Sequence, residues 1–195
     1  MANYKKSVRK LKDYWTVADM GGIARRYFAI NMFDEILTII GILVASFFAG
    51  VQNPKIVISA CIGAAIAMAV SGIWGAYLTE KAEREGKIKL LERKLSVHLR
   101  KSPVGKAHRF AAIFLGLVDG LLPLFVTPLM IFPLFLNMPI TAAYQFSILL
   151  SFIFLFITGM FLGKISRENL VLAGVKMIIV GIICAAIIFL VGKII

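Results

Sequence analysis

Five uninterrupted apolar runs dominate this 195-residue chain, at residues 27–50, 56–78, 110–132, 140–162 and 170–191. A helix needs about 20 residues to cross a hydrocarbon layer roughly 30 Å thick, and every run is long enough. The runs are continuously apolar and lack the alternation of a lipid-facing barrel strand, so the backbone must satisfy its own hydrogen bonds as helix. Hydrophobic residues make up 60% of the chain. That exceeds the usual half of a soluble domain, and leaves more apolar surface than one globular core can cover. The expected fold is an all-α integral membrane protein with five transmembrane helices and the lipid bilayer as its solvent.

Charge orients the spans. Lys and Arg number 22 against 10 Asp and Glu, a net charge of +12. Such a balance in a soluble protein points to nucleic acid. Here the basic residues sit between apolar runs, so no nucleic-acid partner is expected. Residues 1–26 hold seven Lys or Arg, residues 79–109 hold ten, and Lys164 and Arg167 join them between spans four and five. On the opposite side stand only Lys55 and Lys193. Nineteen against two places the N-terminus in the cytoplasm and the C-terminus outside. Lys176, near the start of span five, is expected to snorkel to the cytoplasmic surface. The expected localisation is the cell membrane if the chain is prokaryotic. No apolar h-region follows the basic N-terminus, so no cleavable signal peptide is expected.

Two segments fall outside the transmembrane domain's spans. Residues 1–26 form a basic amphipathic N-terminal segment. In it Tyr4, Val8, Leu11 and Trp15 share one helical face suited to an anionic leaflet. The rest, 27–195, is the transmembrane domain, with a short cytoplasmic helical segment at 79–109 between spans two and three. Residues 79–101 are expected to be solvent-exposed helix, with Ile88, Leu91, Leu95 and His98 on one face and a Glu83–Lys87 pair. Ser102-Pro103 and Gly105 end it. His98 and His108 fall in this basic stretch and are expected to be solvated rather than ligating. Cys61 and Cys184 both lie inside apolar runs, as small buried hydrophobes with no disulfide framework.

Function is best sought where polar groups persist in lipid. A charge at helix centre costs at least about 2.5–3.5 kcal/mol. Span one carries Asn31, Asp34 and Glu35, with Thr38 a turn later; span three carries Asp119 between Gly116 and Gly120. No basic residue lies within these spans to neutralise the acids, so a metal ion or a proton is expected to supply the positive charge. Counting from Arg26 and Arg109 at ~1.5 Å per residue, Asp34 lies ~12 Å deep, Glu35 ~13 Å and Asp119 ~15 Å. Met68 in span two, counted from Glu80, lies ~18 Å deep. All four are expected in one layer. Gly63, Ala67, Ser71 and Gly75 recur every four residues, a stripe that lets helices approach closely.

The order of these features resembles the vacuolar iron transporter family. The resemblance rests on five spans, an early acid in INMFDEILTIIGILVA, a methionine in GAAIAMAVSGIWGAYLTEKAERE, the helical extension, GLLPLFVTPL in span three, and the closing hairpin TGMFLGKISRENLVLAGVKMIIVGIICAAIIFLVG. It implies that Asp34 and Met68 line an ion path. It also implies that Glu83, with Glu80 nearby, gathers metal on the cytoplasmic extension, and that the protein is a homodimer. The chain departs from the family pattern at Phe33 and Glu35, which replace both neighbours of the Asp. It departs again at Ser71-Gly72, where the family commonly has Gly-Glu, and in a Lys-rich rather than Glu-rich cytoplasmic segment.

The candidate metal-contacting set is therefore Asn31, Asp34, Glu35, Met68, Glu80, Glu83 and Asp119. Carboxylates with a thioether suit Fe²⁺ or Mn²⁺ better than Mg²⁺ or Ca²⁺. Protons and metal compete for the same carboxylate oxygens, the minimal physics of proton antiport. The expectation is a transporter moving a divalent transition metal out of the cytoplasm, with the metal as cargo and no resident cofactor. No P-loop, dinucleotide turn, nucleophile pattern or Cys/His cluster is present, so no enzyme is expected. Two other readings remain open. One is a transporter of another solute with Asp119 as proton relay. The other is a non-transporting membrane scaffold.

Overall fold

The computed structural model describes residues 20–95 and 103–194, and among these it is entirely helical. Five long helices follow in order: α1 (Met20–Phe48), α2 (Pro54–Leu95), α3 (Pro103–Met130), α4 (Ile140–Ser166) and α5 (Leu170–Gly192). A single 3₁₀ turn, Phe132–Phe135, stands between α3 and α4. Each of the five is long and apolar enough to cross a membrane. The five expected spans are thus the five helices. Residues 1–19 of the basic N-terminal segment lie outside the described residues, as do His98 and Ser102, and the segment's last residues, 20–26, are already the first turns of α1.

Each helix runs where its sequence leaves it free to. α1 begins near Gly21-Gly22 and ends two residues before Gly50, which takes a left-handed conformation (φ 69°). Pro54 opens α2, at a position where its missing N–H costs nothing. α3 carries Pro123 and Pro128 inside its last turns and gives way to the 3₁₀ turn soon after. Arg167 closes α4 in a left-handed conformation (φ 59°). Asn169 then caps α5, its Oδ1 accepting from Val171 N at 3.0 Å and Leu172 N at 3.3 Å. Lys176 Nζ reaches Glu168 at 3.2 Å, beside this turn.

The chain forms two compact units. The first comprises α1 up to Phe28 together with Val70–Leu121; the second comprises Ala29–Ala69 and Leu122–Ile195. In the first, α2 and α3 approach closely at glycine. A Cβ on Gly116 would stand 2.8 Å from the Ile73 carbonyl oxygen, and one on Gly72 would stand 3.0 Å from Gly120 Cα. In the second, α4 and α5 pack as an antiparallel hairpin. A Cβ on Gly159 would meet the Ala173 carbonyl oxygen and Gly174 Cα at 2.7 Å each. The fully buried side chains of this unit include Ile36, Ile39, Ile40 and Leu43 of α1, Val57 of α2, Met130 of α3 and Leu155 of α4. Near the α1–α2 turn Tyr144 donates to the Val51 carbonyl at 2.9 Å, and its ring meets Phe47 edge-on.

The structure corrects the reading of the helix beyond span two as simply solvent-exposed. Ala76, Glu80, Arg84 and Ile88, spaced four apart, are all buried. That spacing presents one face of α2, and the remaining faces carry exposed Lys81, Glu83, Glu85, Lys87 and Lys89. The side chains of Leu91, Leu95 and His108 lie outside the described set. The small-residue stripe lies the other way: Gly63, Ala67, Ser71 and Gly75 are exposed, and a Cβ on Gly63 or Gly75 would meet nothing within 4 Å. Among the described residues, then, nothing stands against the stripe at Gly63 or Gly75.

This contrast sets a stability test. Gly159→Val places a branched side chain against α5 backbone that cannot withdraw, and should cost about 1–3 kcal/mol. Gly63→Val meets open space and should leave unfolding of the monomer unchanged. Thermal unfolding of both purified variants in detergent checks the difference.

Candidate functional site

The candidate residues fall in both units. Asn31, Asp34, Glu35 and Met68 belong to the second, and Glu80, Glu83 and Asp119 to the first.

In the second unit, the neighbours Asp34 and Glu35 have opposite environments. Asp34 is exposed, and its backbone carbonyl accepts a hydrogen bond from Thr38 Oγ1 at 2.8 Å. Glu35 has no exposure. Its Oε1 accepts the hydroxyl of Thr127, itself wholly buried on α3. Its Oε2 has no hydrogen-bond partner among the described residues. Cys61 is wholly buried on α2. Helical geometry explains the split, because successive residues turn by about 100° and the edge of the buried face of α1 falls between Asp34 and Glu35. Met68 is half-buried and lies seven residues, or two turns, beyond Cys61 on the same side of α2; Asn31 is half-buried too.

In the first unit a polar cluster surrounds the start of the α2 extension. Arg84 Nε donates to Glu80 Oε2 at 2.8 Å, with the two side chains 6% and 3% exposed. The hydroxyl of Tyr27 also hydrogen-bonds Glu80, and the Asp119 charge reaches Tyr27. Asp119 is buried on α3; a Cβ added to Gly72 of α2 would lie 3.2 Å from its Oδ2. Glu83 is exposed and pairs with Lys87 at 2.8 Å, as its spacing on the helix surface predicts. Exposed pairs of this kind contribute only a few tenths of a kcal/mol. Among the described residues, no three His, Cys, Asp or Glu side chains come together as a group that could hold a metal ion.

Comparison with known proteins decides the lineage. The family model described as the VIT family matches residues 91–193, more than half of the chain. An uncharacterized protein of Methanocaldococcus jannaschii is 33% identical over 177 residues, covering 89% of this chain and 91% of the relative. The chain belongs to the vacuolar iron transporter (VIT) family. No solved structure matches it.

As a VIT-family chain it is an integral, multi-pass membrane protein of a metal-transporting lineage. The matched region begins on the α2 extension and runs through α3, α4 and α5. The departure at Glu35 now has a structural setting: where the family usually has a glycine after the Asp, this chain has a carboxylate, and that carboxylate is wholly buried.

Sequence reasoning missed the partners. Arg84 was counted with the cytoplasmic positive charges, yet it neutralises Glu80 inside the protein. Its signal was present, in the i, i+4 spacing from Glu80 and the shared face with Ala76 and Ile88. Thr127 had no signal of its own, since its link to Glu35 joins residues 92 positions apart. Tyr27, at the start of span one, gave no signal of its link to Glu80.

Removing one member of a buried ion pair costs more than removing both. Arg84→Gln should therefore destabilise the protein by about 3–5 kcal/mol, and Glu80→Gln in the same chain should recover most of it. Chemical denaturation in detergent, compared across the two single variants and the double, measures the coupling.

Proposed function

We propose that the protein moves a divalent transition metal, Fe²⁺ or Mn²⁺, out of the cytoplasm in exchange for protons. The observation that carries this reading is Glu35. It is a carboxylate with no exposure, on a membrane-spanning helix, with one oxygen unpartnered among the described residues. Such a group is costly unless a proton or a metal cation joins it. VIT-family membership supports metal as the cation. The half-buried Met68 thioether supports a borderline metal over a hard one.

In this reading Asp34 and Glu35 on α1 and Met68 on α2 supply contacts within the second unit. Asp119 supplies a further carboxylate in the first. Glu83 stands exposed on the α2 extension, at a place suited to early capture of cations, and Glu80 is held by Arg84. The orientation is N-terminus in, from the nineteen-to-two excess of Lys and Arg on one side. The exposed Gly63/Ala67/Ser71/Gly75 stripe supports a homodimer, since close helix approach is what small residues permit in lipid. The reading calls for no catalytic residue, because carrying an ion breaks no bond.

Asp34→Asn keeps size and removes charge. It should cut metal efflux at least tenfold in everted membrane vesicles while leaving insertion intact. Met68→Leu costs usually less than ~1.5 kcal/mol in packing. It should lower the Fe²⁺-over-Mn²⁺ preference in competition flux assays. Unchanged flux in Asp34→Asn would rule out a path along α1.

A further inference from the structure

Within the first unit α2 and α3 meet backbone to backbone, and this contact holds an acid. A Cβ added to Gly72 of α2 would stand 3.0 Å from Gly120 Cα, 3.3 Å from Gly120 N and 3.2 Å from Asp119 Oδ2. Position 72 therefore points at the Asp119 carboxylate, and even a methyl group there would press on it and on the α3 backbone. Asp119 is 6% exposed and lies midway along the apolar stretch of α3, Arg109–Met130. At Gly116 the same two helices meet without a charge: an added Cβ would face the Ile73 carbonyl oxygen at 2.8 Å and Tyr77 N and Cβ at 3.3 Å each. The α4–α5 hairpin shows that so close a crossing needs no acid. Against Gly159 and Gly163 the nearest atoms, from Asn169, Leu170, Ala173, Gly174 and Met177, are backbone or aliphatic. An acid buried in a span is costly, and close packing does not call for it.

We propose that Asp119 is a carboxylate that contacts the transported cation and that Gly72 is its positioning residue: the bare backbone of α2 leaves the room into which α3 places the acid. The assignment rests on the transport reading and deepens it, because it names the residue that sets where the cation meets α3. The carboxylate's place can be reached from either helix, from Asp119 on α3 or from residue 72 on α2. Moving the acid across the contact, by Asp119→Gly with Gly72→Asp, keeps one carboxylate in that place and leaves the net charge unchanged. A cation contact survives such a move, since the cation responds to the charge and not to the helix that carries it. An acid held only for its hydrogen bonds is replaced as well by a neutral amide of equal size. The crowding against Gly120 is common to every side chain at position 72, so alanine and asparagine there separate charge from packing.

The test uses Mn²⁺ alone, titrated into the purified full-length protein in detergent, with free Mn²⁺ counted by electron paramagnetic resonance. Asp119→Gly should weaken binding at least tenfold. Gly72→Asp added to Asp119→Gly completes a double-mutant cycle across the contact and should return the affinity to within about threefold of wild type. Gly72→Asn and Gly72→Ala in the same background carry the same Cβ without the charge and should not. Wild-type affinity in Asp119→Gly overturns the proposal. So does equal affinity of the Gly72→Asp and Gly72→Asn versions. Should the double variants fail to fold, Asp119→Asn, which leaves the crossing as it is, decides alone: a tenfold loss upholds the assignment and wild-type affinity overturns it. Flux of Mn²⁺ by the wild type is read separately. Flux with unchanged binding in Asp119→Gly sinks this assignment alone, and Asp119-dependent binding without flux sinks the transport reading alone.

Discussion

An ionised carboxylate in hydrocarbon finds no water, and the cost of leaving it there is at least about 2.5–3.5 kcal/mol. Asp34, Glu35 and Asp119 all sit on membrane-spanning helices, and much of the structure around them answers that cost. Glu35 is wholly buried and held from α3 by Thr127. Asp119 is buried beside the glycine contact of α2 with α3, where Gly72 leaves room for its carboxylate. Glu80, a turn past the apolar run of α2, is neutralised by Arg84 and hydrogen-bonded by Tyr27. Where an internal cation is on hand, as at Glu80, the acid is structural. Among the described residues Glu35 has only the Thr127 hydroxyl, and in the proposed function it is the acid that binds the mobile cation.

The rest of the chain is built for lipid. Only 11% of the apolar window of α5 is buried, so most of that helix faces the bilayer and touches protein chiefly along its glycine line with α4. Without a hydrophobic drive between helices, contact comes from close packing: Gly159 lets the α5 backbone approach, and Gly174 and Gly181 make room for the side chains of Phe156, and of Leu155 and Phe152. On α2 the two sides have separate tasks. Val57, Cys61, Ala65 and Ala69 face inward, and the exposed Gly63/Ala67/Ser71/Gly75 stripe faces away.

The helices were legible because length and apolar composition are one-dimensional properties: α4 and α5 begin at the residues expected, Ile140 and Leu170. The acids were legible because a charge inside an apolar run stands out. Their surroundings were not. Asp34 and Glu35 read alike in the sequence, and only the phase of α1 against its neighbours buries one and exposes the other. Thr127 lies in an apolar run with no periodic marker, and its tie to Glu35 depends on tertiary packing. Arg84 misled because positive-inside counting treats every Arg as solvated, whereas this one lies on a buried i, i+4 face with Glu80. Cys61, expected as a small buried hydrophobe, is wholly buried and unpaired.

In the proposed function, intramembrane carboxylates carry a divalent transition metal in exchange for protons. Proteoliposomes holding the purified wild-type protein, with metal- and pH-sensitive dyes inside, measure both movements at once. With the interior more acidic than the exterior, Fe²⁺ and Mn²⁺ should enter as the interior becomes more alkaline, at a rate that rises with the imposed gradient. Mg²⁺ and Ca²⁺ should move neither signal. Metal entry indifferent to the proton gradient, or equal entry of Mg²⁺, would contradict it.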